Sequence, residues 1–391
     1  MSADREPRPR RAGTQVVHAG RDPFAHHGFV NTPVYRGSTV LFKTIESFEN
    51  RAQRYVYGRR GTPTSEALED VIATLEGGAR TVLAPSGAAA IAATLLAFTK
   101  AGDHILVADT VYLPTRKICN GALKRFGVET TYYDPTIGAG ISALMRPNTT
   151  VVFTESPGSL TFEVQDIPAI VAAAHKAGVI VMLDNTWATP LYFKPFAHGV
   201  DVSIQAATKY IVGHADAMLG AVTARAQFAK TMVDEIQGLG ICAGTEEMYL
   251  GLRGMRTLDV RLERHWRAGL EIAAWLEQRP EVSRVLHPAL PSHPQHALWQ
   301  RDFTGASGLF SIVLEPCAKP ALAAMVEGLE LFGMGASWGG YESLVLPFDA
   351  SHARSATAWT PEGPTLRLHI GLEDVDDLKA DLEAGFARLT A

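Results

Sequence analysis

Lys209 lies in Asp201-Val-Ser-Ile-Gln-Ala-Ala-Thr-Lys-Tyr-Ile-Val-Gly-His-Ala-Asp-Ala-Met-Leu-Gly220, a stretch that opens like a short strand and turns abruptly polar. Apolar neighbours strip water from an amine, lower its pKa and make it a nucleophile able to form a Schiff base. Alone, Lys209 reads first as a solvent-facing lysine at a strand end, since lysine is rarely buried without a reason. Three other groups share this ambiguity. Asp184 ends the apolar run from Val179 and could be a turn or capping residue. Tyr112 follows Asp109-Thr-Val and could be a core aromatic. Arg367 interrupts an otherwise apolar Leu-Arg-Leu-His-Ile, either facing solvent or pointing inward. An inward guanidinium needs an anion, and a carboxylate matches its fork with two hydrogen bonds. Finally, Pro85-Ser-Gly87 turns into an alanine-rich helix, whose free N–H groups and positive dipole end can take a phosphate, although many strand-to-helix loops look the same.

One chemistry uses all of these groups, that of pyridoxal 5′-phosphate. It needs a lysine for covalent attachment, a carboxylate facing the pyridine nitrogen, a stacking ring, a phosphate cradle and an arginine for the substrate carboxylate. Their order along the chain suits a fold of the aspartate-aminotransferase type.

The elements that would position them alternate. Short apolar runs at 81–84, 103–108, 128–133, 150–155, 179–184, 200–204 and 218–223 read as strands. Helices are expected at 88–98, 114–126 and 167–177, and another through Leu75 is capped by Thr64 or Ser65. Strand–helix alternation predicts an α/β fold with a mostly parallel sheet, whose ligands bind beyond the carboxyl ends of the strands. Residues 1–60, rich in Gly, Pro and Arg, read as an arm reaching a neighbouring subunit. Residues 61–245 form the large cofactor-binding domain and 246–391 a smaller α+β domain. That domain opens on a long charged helix or helix pair at 245–279, with strands at 282–286, 308–314 and 365–370.

Composition excludes several classes. The chain has 391 residues, is 47% hydrophobic and 20% charged, and carries a net charge of −5, so nucleic-acid binding is not expected. The longest apolar run, 87–98, is too short to span a bilayer, and the first residues lack a secretory pattern. Three distant cysteines, Cys119, Cys242 and Cys317, fit a reducing cytoplasm better than a disulfide framework. His26, His27, His287, His293 and His296 lack the spacing of a zinc site, so no metal is expected. Trp187, Trp266 and Cys119 read as packing residues.

Several longer motifs strengthen the assignment: Tyr57-Gly-Arg-Arg-Gly-Thr, Ser86-Gly-Ala-Ala-Ala, Asp184-Asn-Thr-Trp-Ala, Gln205-Ala-Ala-Thr-Lys-Tyr-Ile-Val-Gly-His, Gly251-Leu-Arg-Gly-Met-Arg-Thr-Leu and Ser337-Trp-Gly-Gly-Tyr-Glu-Ser. With them the sequence resembles the cysteine and methionine metabolism family of pyridoxal-phosphate enzymes over nearly its whole length. The resemblance implies the fold type I of this cofactor class and a carbon–sulfur lyase of methionine biosynthesis. It implies that Lys209 carries the cofactor, Asp184 faces the pyridinium and Tyr112 stacks on the ring and, as a catalytic group beside Lys209, accepts the substrate amine's proton. Gly87, Ala88 and Thr208 would bind phosphate, joined by Tyr57 and Arg59 from a neighbouring subunit. Arg367, Ser337 and Trp338 would take the substrate. A homo-oligomer follows, an active dimer and in the family a tetramer. One departure stands out: Ala206 occupies a position where many relatives have serine, which removes a phosphate-binding hydroxyl.

The expected reaction is β-elimination of L-cystathionine to homocysteine, pyruvate and ammonia. Trp338, and the absence of asparagine after Ser156-Pro, favour it over the γ-chemistry of other family members. Broader cysteine-conjugate cleavage stays open. A non-catalytic cofactor carrier would lack the lysine or bear a DNA-binding region.

Overall fold

The computed structural model describes residues 10–389. The arginine-bearing residues 1–9, and with them the reading of the first residues as lacking a secretory pattern, lie outside the described residues. Seven strands form the first sheet: β1 (Arg80–Ala84), β2 (His104–Ala108), β3 (Glu129–Tyr133), β4 (Thr149–Glu155), β5 (Ile180–Asp184), β6 (Val202–Gln205) and β7 (Gly220–Ala224). Their order is β1-β7-β6-β5-β4-β2-β3. Ile105, Leu106, Val152, Phe153, Met182 and Leu183 are wholly buried, as befits a sheet covered on both faces. All pairings are parallel except those of β7, which runs against β1 and β6. The cause is the connection from β6: residues 206–219 contain no crossover helix, and a parallel return needs one. The lysine stretch therefore occupies a loop joining two antiparallel neighbours.

The strand order reverses at β2, with β3 on one side and β4, β5 and β6 on the other. Open α/β sheets bind ligands at such a reversal. The carboxyl ends of β2, β4, β5 and β6 deliver Asp109 to Tyr112, Glu155, Asp184 and the Lys209 loop to one rim.

The helix expected through Leu75 runs Pro63–Glu76 and is capped by Thr62, not by Thr64 or Ser65. Thr62 and Ser65 bond each other's backbone N–H at 3.2 and 2.9 Å, and Pro63 fixes the first turn, where its missing N–H costs nothing. The Thr64 hydroxyl is instead taken by Pro33 O at 2.8 Å. The segment expected as one helix at 114–126 is an α-helix, Leu113–Ile118, that widens into a π turn at Cys119–Leu123. A further helix, Ala226–Gly238, was not anticipated.

The charged stretch is a helix pair, Thr245–Met255 and Leu258–Leu276. The second member bridges two cores: Leu258 and Leu262 pack with residues of the 63–76 helix, while Ile272, Ala273 and Leu276 belong to the core under the second sheet. That sheet comprises β8 (Val282–Leu286), β9 (Leu309–Leu314), β10 (Gly333–Met334), β11 (Leu344–Phe348) and β12 (Thr365–His369), in the order β10-β11-β12-β9-β8. Helices Lys319–Glu327 and Val375–Ala387 also contribute to its core.

The N-terminal arm is only partly extended. Helix Ala12–His18 buries Val16, and Arg256 Nη1 holds Val16 O and Ala19 O at 2.7 and 2.9 Å. Beyond it, Phe24, Phe29, Val30, Leu41, Ile45 and Phe48 are each at least 64% exposed. Among the described residues no helix is long and apolar enough to cross a membrane.

Candidate active site

Lys209 is half-buried three residues past Ala206 in the loop after β6. Its Nζ donates to Ser337 Oγ at 2.7 Å and stands 5.3 Å from the centre of the Trp338 ring. Burial lowers its pKa to about 8; the Arg367 charge adds to this and the Asp184 charge opposes it. At pH 7 about a tenth of Lys209 is therefore free amine, far more than for an ordinary lysine and able to act as nucleophile or base. Arg367 comes from β12, is almost wholly buried, and donates from Nη2 to Ser337 O at 3.1 Å. Ser337 thus touches lysine and arginine at once. Burial also brings the Arg367 guanidinium down to about 10, still a cation at working pH.

The turn carrying Ser337 and Trp338 is pressed onto the lysine loop. Gly339 adopts φ +83°, and a Cβ there would lie 2.9 Å from Lys209 C, so glycine is required. Buried His369 fixes the same turn, its Nε2 lying 3.1 Å from both Gly339 N and Gly340 O and either accepting from the first or donating to the second according to its tautomer. Tyr210 stacks edgewise on Trp338 with centroids 5.4 Å apart.

Asp184 ends β5 and is 6% exposed. Thr186 holds its Oδ1 through N–H at 3.0 Å and hydroxyl at 2.5 Å, and Ala206 N–H donates to the Thr186 hydroxyl at 2.8 Å. Burial raises the Asp184 pKa, with the Thr186 hydrogen bonds and the Lys209 charge opposing. Among the described residues Asp184 forms no ion pair. Glu155 ends β4 directly opposite Asp184 in register. Burial first, then the Asp184 charge, pushes the Glu155 pKa well above its ordinary value and so favours its protonated form. Its Oε2 accepts from Tyr112 N–H at 2.7 Å and so fixes the turn that presents the tyrosine ring. Tyr112 is 44% exposed; burial raises its pKa and Glu155 and Asp184 reinforce this, which keeps the phenol protonated in this arrangement.

At the phosphate end, Ser86 caps helix Gly87–Phe98 by accepting from Ala89 N at 3.1 Å. The first-turn amides of Gly87 and Ala88 are among those a helix cannot satisfy itself. A Cβ on Gly87 would sit 2.6 Å from Ala206 Cβ, so helix and lysine loop meet without room for a side chain. The Thr208 hydroxyl donates to Leu219 O at 3.0 Å and accepts from Leu219 N at 2.9 Å, so it must turn to meet a phosphate.

The structure brings Lys209, Ser337, Trp338 and Arg367 into contact and sets Tyr112 and Asp184 within electrostatic reach of them. Tyr57 and Arg59 are not brought to Lys209; with Ser38, Thr62 and Cys242 they line a separate cavity of about 260 Å³. Glu155 and Thr186 went unnoticed in the sequence. The signal for Glu155 was present, since it ends its strand as Asp184 ends the next. Cys119 and Trp187 are core residues as expected, Trp187 Nε1 donating to Leu309 O at 2.9 Å.

These residues fit pyridoxal phosphate. A buried carboxylate without a counter-ion suits a protonated pyridine nitrogen, the Gly87–Ala206 contact leaves backbone amides open, and the amine of Lys209 is depressed. The comparisons agree. The chain belongs to the Cys/Met metabolism PLP-dependent enzyme family, whose model matches residues 13–387. It is 55% identical over 382 residues to a putative cystathionine beta-lyase of Rhizobium johnstonii, covering 97% of this chain and 96% of that one. It is 46% identical to cystathionine beta-lyase MetC of Escherichia coli, covering 97% and 99%. The crystal structure of cystathionine gamma synthase from Xanthomonas oryzae pv. oryzae, in complex with aminoacrylate and cysteine, superposes with a TM-score of 0.90 at 33% identity, covering 98% of this chain and 99% of that one. The chain therefore has the fold of these enzymes and takes pyridoxal phosphate.

Proposed function

We propose that this enzyme is a carbon–sulfur lyase that cleaves L-cystathionine by β-elimination, releasing homocysteine, pyruvate and ammonia. The observation that carries the reading is the half-buried Lys209 amine, anchored on Ser337 between the buried charges of Asp184 and Arg367. When bound, pyridoxal phosphate supplies the electron sink that makes the hydrogen beside an amino-acid nitrogen acidic. Lys209 would hold it covalently, Asp184 would keep its ring nitrogen protonated, and the Tyr112 ring would cover one face. Gly87 and Ala88 amides and Thr208 would hold its phosphate, without the hydroxyl that Ala206 lacks.

Arg367 binds the substrate α-carboxylate, which orients the α-hydrogen toward Lys209 Nζ. Lys209, neutral above about pH 8, then takes that proton. Ser337 Oγ, 2.7 Å away, keeps the amine from swinging out of line. The Trp338 ring stands 5.3 Å from the amine and offers it an aromatic face. The relatives at 55% and 46% identity bear the β-lyase name, which supports elimination at the β-carbon.

The active unit is a homodimer, and the family suggests pairs of dimers. Tyr57 and Arg59, remote from their own Lys209, would complete the neighbour's phosphate site, and the exposed apolar arm would be covered by that neighbour. The three free cysteines suit a reducing cytoplasm.

The test is the product. L-cystathionine should yield pyruvate; α-ketobutyrate in its place refutes the reading. The fold shared with the gamma synthase makes γ-chemistry the second reading, and the same assay separates the two.

A further inference from the structure

Asp109, the residue after β2, is wholly buried, yet it is not part of the lysine's surroundings. Its carboxylate is surrounded by donors from a distant stretch of chain. Oδ1 accepts from Ser355 N at 2.9 Å and Ser355 Oγ at 3.1 Å, and from Arg116 Nη2. Oδ2 accepts from Ala356 N at 3.0 Å, Thr357 N at 2.9 Å and Thr357 Oγ1 at 2.9 Å. Its carbonyl takes Arg354 Nη1 at 2.7 Å. Burial alone would raise its pKa, but the Thr357, Ser355 and Arg116 hydrogen bonds outweigh it and hold the group below its ordinary value.

Apart from Arg116, which lies on the helix just after Tyr112, these donors lie in residues 349–364, which join β11 to β12 with only a single helical turn at Ser351–Ala353. Ser355 and Ala356 are exposed on their outer side, so the segment lies over the surface with Asp109 beneath it. What the two ends of this link carry is the point. Asp109 is three residues from Tyr112, and β12 carries Arg367. Arg354 extends the clasp to the loop after β4, donating to Thr161 Oγ1, and Ser159 N in that loop donates to Thr110 O at 2.7 Å. The group that covers the cofactor ring and the group that binds the substrate carboxylate thus come from different sheets. A surface strap, fastened at a buried carboxylate, ties them together.

We propose that Asp109 is a positioning residue: by fastening 349–364 to the turn ending in Tyr112, it sets the separation of Tyr112 from Arg367 and so the width of the substrate site. The inference rests on the roles assigned to those two residues above. Asp109→Asn keeps the shape but turns one acceptor into a donor facing the strap's own N–H groups. On the strap side, Ser355→Ala combined with Thr357→Ala removes two hydroxyl donors without touching β2. Four quantities are measured on the cofactor-loaded enzyme: hydrogen exchange of 354–358, affinity for L-cystathionine, and kcat and KM for pyruvate release. For Asp109→Asn we expect exchange in 354–358 to quicken about 10-fold or more, with β12 amides unchanged. KM should rise and kcat/KM fall about 10- to 100-fold, since an ångström of misplacement is worth up to that much. The strap variant should move both in the same direction, and combining the variants should add little. Faster exchange with unchanged kinetics, or slower kinetics with unchanged exchange, overturns the proposal. Should the wild type release no pyruvate, the assigned reaction fails, while exchange and L-cystathionine affinity still judge the tether.

Discussion

The contact between Gly87 and Ala206 can be tested by adding one methyl group. Gly87→Ala places a carbon 2.6 Å from Ala206 Cβ and 3.0 Å from Ala206 Cα. Apolar carbons rest at about 3.5–4.0 Å, so the helix end and the lysine loop must part by about 1 Å. Such overpacking costs about 1–3 kcal/mol, offset by up to about 1 kcal/mol because alanine favours helix over glycine. The net loss of stability is thus modest, about 0–2 kcal/mol. The effect on the cofactor is larger. Moving the Gly87 and Ala88 amides by an ångström removes a hydrogen bond to a charged phosphate, worth about 1.5–3 kcal/mol. That is about a 10- to 100-fold loss of affinity. Titrating pyridoxal phosphate into the cofactor-free variant, beside a thermal melt, measures both. Ala206→Gly in the same chain removes the colliding methyl and should recover most of the affinity, though the approach to Cα remains. A Gly87→Ala enzyme with wild-type affinity, or a double variant no better than the single, refutes the cradle.

Three further outcomes are expected. In cofactor-free protein, Lys209 should react with an amine-acylating reagent with a midpoint near its pKa of about 8; Arg367→Met should move the midpoint up by removing a like charge, and Asp184→Asn should move it down. Opposite shifts would show that these charges do not reach the amine. Glu155→Gln should keep kcat/KM within about 3-fold, since burial already favours the neutral acid and the amide oxygen still accepts from Tyr112 N–H, whereas Glu155→Ala should lower it about 5-fold or more through an unpaired N–H worth about 1–3 kcal/mol. Lys209→Ala and Arg59→Ala, each inactive alone, should regain activity when mixed and re-equilibrated, because a hybrid dimer holds one complete site; no recovery would mean that Arg59 serves its own subunit.

Much of the site was legible because its groups sit where strand-end chemistry is easy to see. Asp184 ends an apolar run, Gly87 opens a helix, and Arg367 breaks an apolar strand. Ser337 and Trp338 could be reached only through the resemblance, since they sit in a glycine-rich turn whose placement depends on the packing of one sheet against the other. Asp109 was missed because its partners lie up to 248 positions away, which no local pattern announces, whereas Thr186 bonds Asp184 only two residues back and Glu155 ends its strand as Asp184 does, both readable locally. Strand β11 was hidden by Pro347, tolerated because β10 pairs only with Leu344 and Val345 and leaves Pro347 on an open edge. The antiparallel β7 followed from a missing crossover helix, whereas the helix at 226–238 was a readable amphipathic pattern simply passed over.

The single reversed strand also has a consequence for how the protein is made. Gly220 opens β7 beneath the phosphate end of the site, where a Cβ would lie 2.3 Å from Ser86 O. The cradle is therefore completed only when chain some 130 residues downstream of Ser86 has been synthesised and has folded back between β1 and β6. Partly made or partly unfolded chains would hold no competent cofactor site. Free pyridoxal phosphate would then bind the finished fold alone, and its concentration in the cell would act on the folding equilibrium itself.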